Sequence, residues 1–236
     1  MILHDMPQRT PSWYAIRRGK FTASEFGMWV ANPDKDATSR KAFQNAIDAK
    51  LGDEADGDDT DLGFENYWMK RGTRLEMDAL AAYESRTNYH VDQFGFVEHE
   101  SGCFGCSPDG LIFDRSHADS YEIDPATGKE WYLSRLMHGL EMKCPKGSTQ
   151  VKYLREGVLP AEYVCQVHGS MAITGAAYWD FWSWHPNLPS FCIRTHRDEF
   201  TERMFAGLLR LASDYEDARR KLANMWDDFH REGAAA

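Results

Sequence analysis

A chain of 236 residues with 42% hydrophobic and 13% aromatic content can fill a sizeable core, which excludes global disorder and requires no second domain. It holds no apolar run near the ~18 residues that span a bilayer. Its start, MILHDMPQRT, lacks the basic-then-apolar layout of a secretory leader, so a cytosolic protein is expected. The net charge of −10 is unusual for a protein that handles polyanions, but total charge does not say where charge sits. Six acids crowd into residues 52–61 (GDEADGDDTD), which read as a solvated loop. Bases gather elsewhere: Arg17, Arg18 and Lys20; Lys70, Arg71 and Arg74; Lys143, Lys146, Lys152 and Arg155.

In chain order, Thr10-Pro11-Ser12-Trp13 reads as a helix start, with a short helix over Trp13 to Arg18 that stops at Gly19. Thr22-Ala23-Ser24-Glu25 begins another turn, since hydroxyl residues cap well. Phe43, Ile47 and Leu51 recur at i, i+4, i+8 and predict an amphipathic helix over Arg40 to Leu51. After the acidic loop a longer helix runs from Asn66 to Ser85, with Met69, Leu75, Leu80 and Tyr83 available for burial. Val91, Phe94, Phe96 and Val97 then suggest a strand. Ser-Pro-Asp-Gly followed by Leu111-Ile112-Phe113 reads as a turn into another, within Phe104 to Asp114. The polar stretch 114–138 is expected to be an insertion between core strands. Gly139 to Lys143 alternates in character and is stopped by Pro145, as a strand would be. Ala161 to Thr174 returns to helical spacing, and Tyr178 to Trp184 and Phe191 to Thr195 read as two strands split by His185-Pro186-Asn187. The aromatic run Trp179 to Trp184 fits a core strand better than a base-stacking platform. From Phe200 through Met204, Leu208, Leu211, Tyr215, Leu222, Met225 and Phe229 runs the clearest helix, some thirty residues long, before a tail at 233–236. Helices on both sides of a run of strands imply one layered α/β domain over 1–236.

Five cysteines, an odd number, argue against a disulfide framework. Cys103 and Cys106 form a CxxC pair, but a structural zinc site takes four ligands and Cys144, Cys165 and Cys192 stand alone, so no zinc is expected.

The residues with chemistry are Asp109 and Glu141-Met142-Lys143. Residues two apart on a strand share a face, so Glu141 and Lys143 project side by side while Met142 points into the core. If the strand after Asp109 pairs beside them, two carboxylates and an ammonium converge. Two carboxylates suit Mg2+, with Mn2+ expected to substitute, and the Met142 carbonyl is a further candidate ligand. Hydrolysis of a phosphodiester needs an activated water and neutralisation of the developing charge, which a divalent ion and Lys143 supply together.

Ser107-Pro108-Asp109-Gly110-Leu111-Ile112 with Leu140-Glu141-Met142-Lys143-Cys144-Pro145 resembles the YqaJ-like viral recombinase family of PD-(D/E)xK nucleases, to which phage lambda exonuclease belongs. Arg17-Arg18-Gly19-Lys20-Phe21-Thr22-Ala23-Ser24 is similar to its R-x-G-x-x-T-A-S segment. Gly72 with Glu76, Ala79 and Tyr83, and Tyr163 and Gln166 with Met171 and Thr174-Gly175, resemble its two helical motifs. The resemblance implies a restriction-endonuclease-like fold, a central mixed β-sheet flanked by helices with a long C-terminal helix. It implies metal binding by Asp109 and Glu141, with Glu76 as an additional acid, and catalytic roles for Lys143 and Gln166. Arg17, Ser24 and Ser107 would line a pocket for a 5′-terminal phosphate, with Arg18 the alternative to Arg17. The implied activity is an exonuclease on linear double-stranded DNA, 5′→3′, partnered by a single-strand annealing protein and closed into a homotrimeric ring. Lys70, Arg71 and Arg74 would then face the channel. A repair or Cas4-like nuclease of the same fold and a catalytically dead DNA-end binder are the alternatives. A Cas4-like protein needs four cysteines for a cluster, and here Cys103 and Cys106 precede the trio with no matching set after it; an end binder has no need of the intact trio.

Overall fold

The computed structural model describes residues 1–29, 40–57, 67–115, 122–123, 130–131 and 136–234. Two four-stranded mixed sheets carry the fold. The first takes the order β1 (Ile2–His4), β3 (Phe96–Glu98), β4 (Phe104–Cys106), β2 (Phe21–Thr22). The second runs β10 (Leu188–His196), β9 (Tyr178–His185), β8 (Leu136–Lys143), β5 (Gly110–Phe113). They meet at a bridge between Asp92 and Leu111, so the expected mixed sheet is present in two parts. β5 and β8 pair antiparallel although the chain between them is long, and β8 and β9 pair parallel.

Alternation along the strands sorts the core into two faces. Ile112, Leu140, Met142 and Trp182 pack against Ala79, Leu80 and Tyr83 of α4 (Tyr67–Thr87). Leu111, Phe113 and Trp179 face the other way, toward Val167 and Met171 of α6 (Ala161–Thr174) and Met204, Leu208 and Leu211 of α7 (Glu199–Ala234). The aromatic strand is therefore core: Trp179, Phe181 and Trp182 are all buried. Gly139 on β8 is required by that packing, because a Cβ there would lie 2.2 Å from the Trp179 ring.

Several expected boundaries shift for physical reasons. α1 spans Pro11–Arg17, capped by Thr10 with proline in its first turn. A 3-10 turn at Ala23–Glu25 is closed by a Thr22–Glu25 capping box and leads into the short α2 (Phe26–Trp29). α3 (Arg40–Asp56) runs through 52–56, correcting the loop expected over 52–61. Its acids are paired there, Asp53 with Lys50 at 3.6 Å and Glu54 with Arg219 at 3.3 Å, and Gly57 follows at φ +65. Residues 58–66 lie outside the described residues, as do the side chains of Phe43 and Met69. Within the insertion expected over 114–138, β6 (Glu122–Ile123) and β7 (Glu130–Trp131) form a small antiparallel ribbon, and Leu136 to His138 already belong to β8. α5 (Gly147–Glu156) was not anticipated, and Gly233 and Ala234 are the end of α7 rather than tail. No helix among the described residues is long and apolar enough to cross a membrane.

Candidate active site

The β5–β8 register pairs Gly110 with Leu140, which sets Asp109 across from Glu141, one residue past the paired stretch. The Asp109 N–H donates to the Leu140 carbonyl at 3.1 Å, and the Met142 N–H donates to Asp109 Oδ2 at 2.6 Å. A strand residue's N–H and C=O lie on the same edge, so the Met142 carbonyl points to the Asp109 side as well. Glu141 is 2% exposed, and Lys143 Nζ donates to its Oε1. The Tyr163 ring of α6 covers that ammonium, with its centroid 5.1 Å from Nζ. Gln166 lies on α6 one turn beyond Tyr163, half-buried.

Burial and the charge of Glu141 push the Asp109 carboxyl up to about 7, against the pull of Lys143 and the Met142 N–H. Burial alone would lower Lys143, but Glu141 and Asp109 more than offset it and hold the ammonium above its usual range. The site thus carries more negative charge than its own lysine relieves. Two carboxylates and a strand carbonyl are the donor set that Mg2+ accepts, so these residues fit such an ion. Among the described residues, no group of three or more His, Cys, Asp or Glu side chains forms a ready-made metal cage.

A cavity of about 340 Å³ opens beside Asp109 and Met142, and Glu76 of α4 lines it with Arg9, Gln8 and Gln93. Glu76 is held there by a residue that the sequence did not single out. Arg9 forks onto both its oxygens at 2.7 and 3.0 Å, from a backbone at φ +64. Such a conformation strains a side chain of this size and recurs where a site demands it. A non-glycine residue in a loop leaves no trace of this in the sequence.

The three residues expected to grip a phosphate lie together. Arg17 donates to Ser107 Oγ at 2.8 Å and to Thr22 Oγ1 at 3.4 Å, and Thr22 Oγ1 lies 3.3 Å from Ser24 Oγ. The Arg17 guanidinium lies 4.1 Å from the Trp13 ring centroid, and the Trp13 indole N–H donates to Ser107 Oγ at 3.0 Å. Burial lowers the Arg17 pKa, while Glu25 works the other way. Arg71 has a different task from the one expected of its cluster: it donates to the Cys144 and Pro145 carbonyls at 3.2 and 3.1 Å, fixing the chain just after Lys143. His138 and His168 are buried among core groups, bonded to Tyr83 at 3.1 Å and Thr201 at 2.7 Å.

The model of the YqaJ-like viral recombinase domain matches residues 12–177. An alkaline exonuclease (LHK-Exo) from Laribacter hongkongensis is similar at 31% identity and a TM-score of 0.63, over 92% of this chain and 100% of that one. The same protein in complex with dAMP is similar at 30% identity and a TM-score of 0.64, with the same coverage. A phage-related exonuclease from Haemophilus somnus 129PT, at 14% identity and a TM-score of 0.52, shares the fold over 87% of this chain and 96% of its own. No curated protein sequence matches. With most of its length matched, from the helix bearing Arg17 to the end of α6, the chain belongs to the YqaJ-like viral recombinase family.

Proposed function

We propose that the protein is a Mg2+-dependent exodeoxyribonuclease that digests linear double-stranded DNA from its 5′ ends, in phage-type recombination with a single-strand annealing protein. The observation that carries this reading is the adjacency of two groupings: the Asp109–Glu141–Lys143 trio, and the Arg17–Ser107 pair beginning two residues upstream of Asp109. The fold shared with alkaline exonucleases supports it, as does the dAMP held by LHK-Exo, a nucleotide of the kind such digestion releases.

In this reading Asp109, Glu141 and the Met142 carbonyl would hold the ion, with Glu76 lining the same cavity as Asp109. Once bound, the ion lowers the pKa of a water and polarises the scissile phosphate. Lys143, steadied by Tyr163, would orient the attacking water and offset the negative charge that develops on the phosphate. Gln166 supports the same side of the site from α6. Arg17 presents a fork and Ser107 and Ser24 present hydroxyls to the terminal 5′-phosphate, a match that a lysine would make less well. This reading gives zinc no part, because a structural zinc site takes four ligands and the Cys103–Cys106 pair supplies two.

The test is digestion of linear duplexes labelled at the 5′ or the 3′ end, with Mg2+ and with EDTA. Early release of the 5′ label, only with Mg2+, is the expected result. Binding without cleavage would establish an end binder, and internal cuts would establish an endonuclease.

A further inference from the structure

Along α7, Thr201, Met204, Leu208, Leu211 and Tyr215 follow one another at alternating spacings of three and four, and Ala218, Leu222, Met225 and Phe229 continue the pattern unbroken. That alternation is the 3.5-residue repeat by which one helix packs along another. The first five positions are at most 2% exposed, whereas Leu222, Met225 and Phe229 are 49%, 67% and 68% exposed. Trp226, also exposed, widens the bare strip. α3 covers the seam only at its near end, where Leu51 and Ala55 join Leu222, Met225, Trp226 and Phe229 around an open groove of about 810 Å³.

We infer that this groove receives the same segment of a second copy of the chain, antiparallel across a twofold axis near residues 223 and 224. The repeat calls for a helix, and the charge pattern selects this one. In that register Leu222 of each copy meets the partner's Met225. Phe229 reaches the partner's Ala218, the smallest apolar residue on the seam, beside the partner's Leu51. The flanks then match within the reach of a long side chain. Lys221, which has no ion pair among the described residues of its own chain, comes beside the partner's Asp228. Arg219 comes beside the partner's Trp226, whose ring face attracts a guanidinium. A parallel pairing would keep Lys221 about two turns from the partner's Asp228. Each contact occurs twice, so the interface closes on itself and differs in kind from a head-to-tail ring contact. A few large apolar side chains from each copy put it near the ~1,000 Å² floor of specific interfaces, so it should form and break at micromolar concentration.

Light scattering of the full chain at micromolar concentration tests this. Leu222→Asp places a carboxylate on the exposed seam and should undo the twofold pairing, so that a particle of two chains, or of two rings, falls to half its mass with an unchanged circular dichroism spectrum. Lys221→Asp creates two like-charge contacts and should weaken association about tenfold, and adding Asp228→Lys should restore it. A mass that Leu222→Asp leaves unchanged overturns the proposal. So does a charge-swapped double variant that stays as weak as Lys221→Asp alone.

Discussion

Asp109 ionises against the charge of Glu141, and its carboxyl is raised from 3.8 to about 7. A carboxyl raised on folding favours the folded state while protonated, so metal-free protein should lose stability as pH climbs from about 4 through 7. A bound divalent ion should return that stability. Asp109→Asn removes the carboxylate and keeps an acceptor for the Met142 N–H. It should therefore melt higher than wild type at pH 8 without metal, yet cut no DNA. A lower melting temperature for Asp109→Asn under those conditions, or wild-type cleavage by it, would contradict the assignment. At the neighbouring grouping, Arg17→Ala should erase most of a preference for 5′-phosphate over 5′-hydroxyl ends while sparing Mg2+ binding. An undiminished preference would move the role to Arg18. At this scale the sequence was most legible where chemistry restricts the choice of residue. Asp109, Glu141 and Lys143 meet as their spacing implied, whereas Arg9 is positioned by loop geometry that no pattern encodes.

The elements hold the site through polar groups as much as through apolar ones. Asp180 on β9 is 1% exposed; it receives the Arg194 fork from β10 at 2.8 Å for each bond and the Tyr83 hydroxyl of α4 at 2.8 Å. Tyr83 in turn contacts His138 of β8, so one buried carboxylate ties α4 to three strands. Asp180→Ala leaves the Tyr83 hydroxyl without its acceptor and the Arg194 guanidinium, 37% exposed, without its carboxylate, and should cost about 2 kcal/mol in urea unfolding. A loss below about 1 kcal/mol would show that water replaces the carboxylate without penalty. The same polarity explains why α5 escaped a reading based on apolar periodicity. Its buried face is led by Gln150, which donates to the Ser183 and Pro189 carbonyls at 3.2 and 2.8 Å and accepts from the Ser183 hydroxyl at 2.5 Å. α6 and the first half of α7, packed through apolar side chains, lie where their spacing put them.

For the molecule as a whole, net charge −10 makes an open DNA-binding surface weak and salt-sensitive. A head-to-tail ring, which the family likeness implies, would instead keep the duplex by enclosure. Enzyme loaded on DNA at low salt should then continue digesting after a jump to salt that blocks loading. Equal sensitivity before and after loading would argue against enclosure. A second property of the whole follows from how the two sheets join. β4 ends at Cys106 and β5 begins at Gly110, so Ser107, proposed to grip the DNA end, and Asp109, proposed to hold the ion, are separated by Pro108 alone. Extended chain advances about 3.3–3.6 Å per residue, which holds the two within roughly 7 Å. If both proposed roles hold, that short span would act as a ruler. It would leave room for one nucleotide between the gripped end and the cut, so the product should be a mononucleotide at every step. A glycine inserted between Ser107 and Pro108 lengthens the ruler by one residue, and longer products on sizing chromatography would show that the protein measures its substrate with its own backbone.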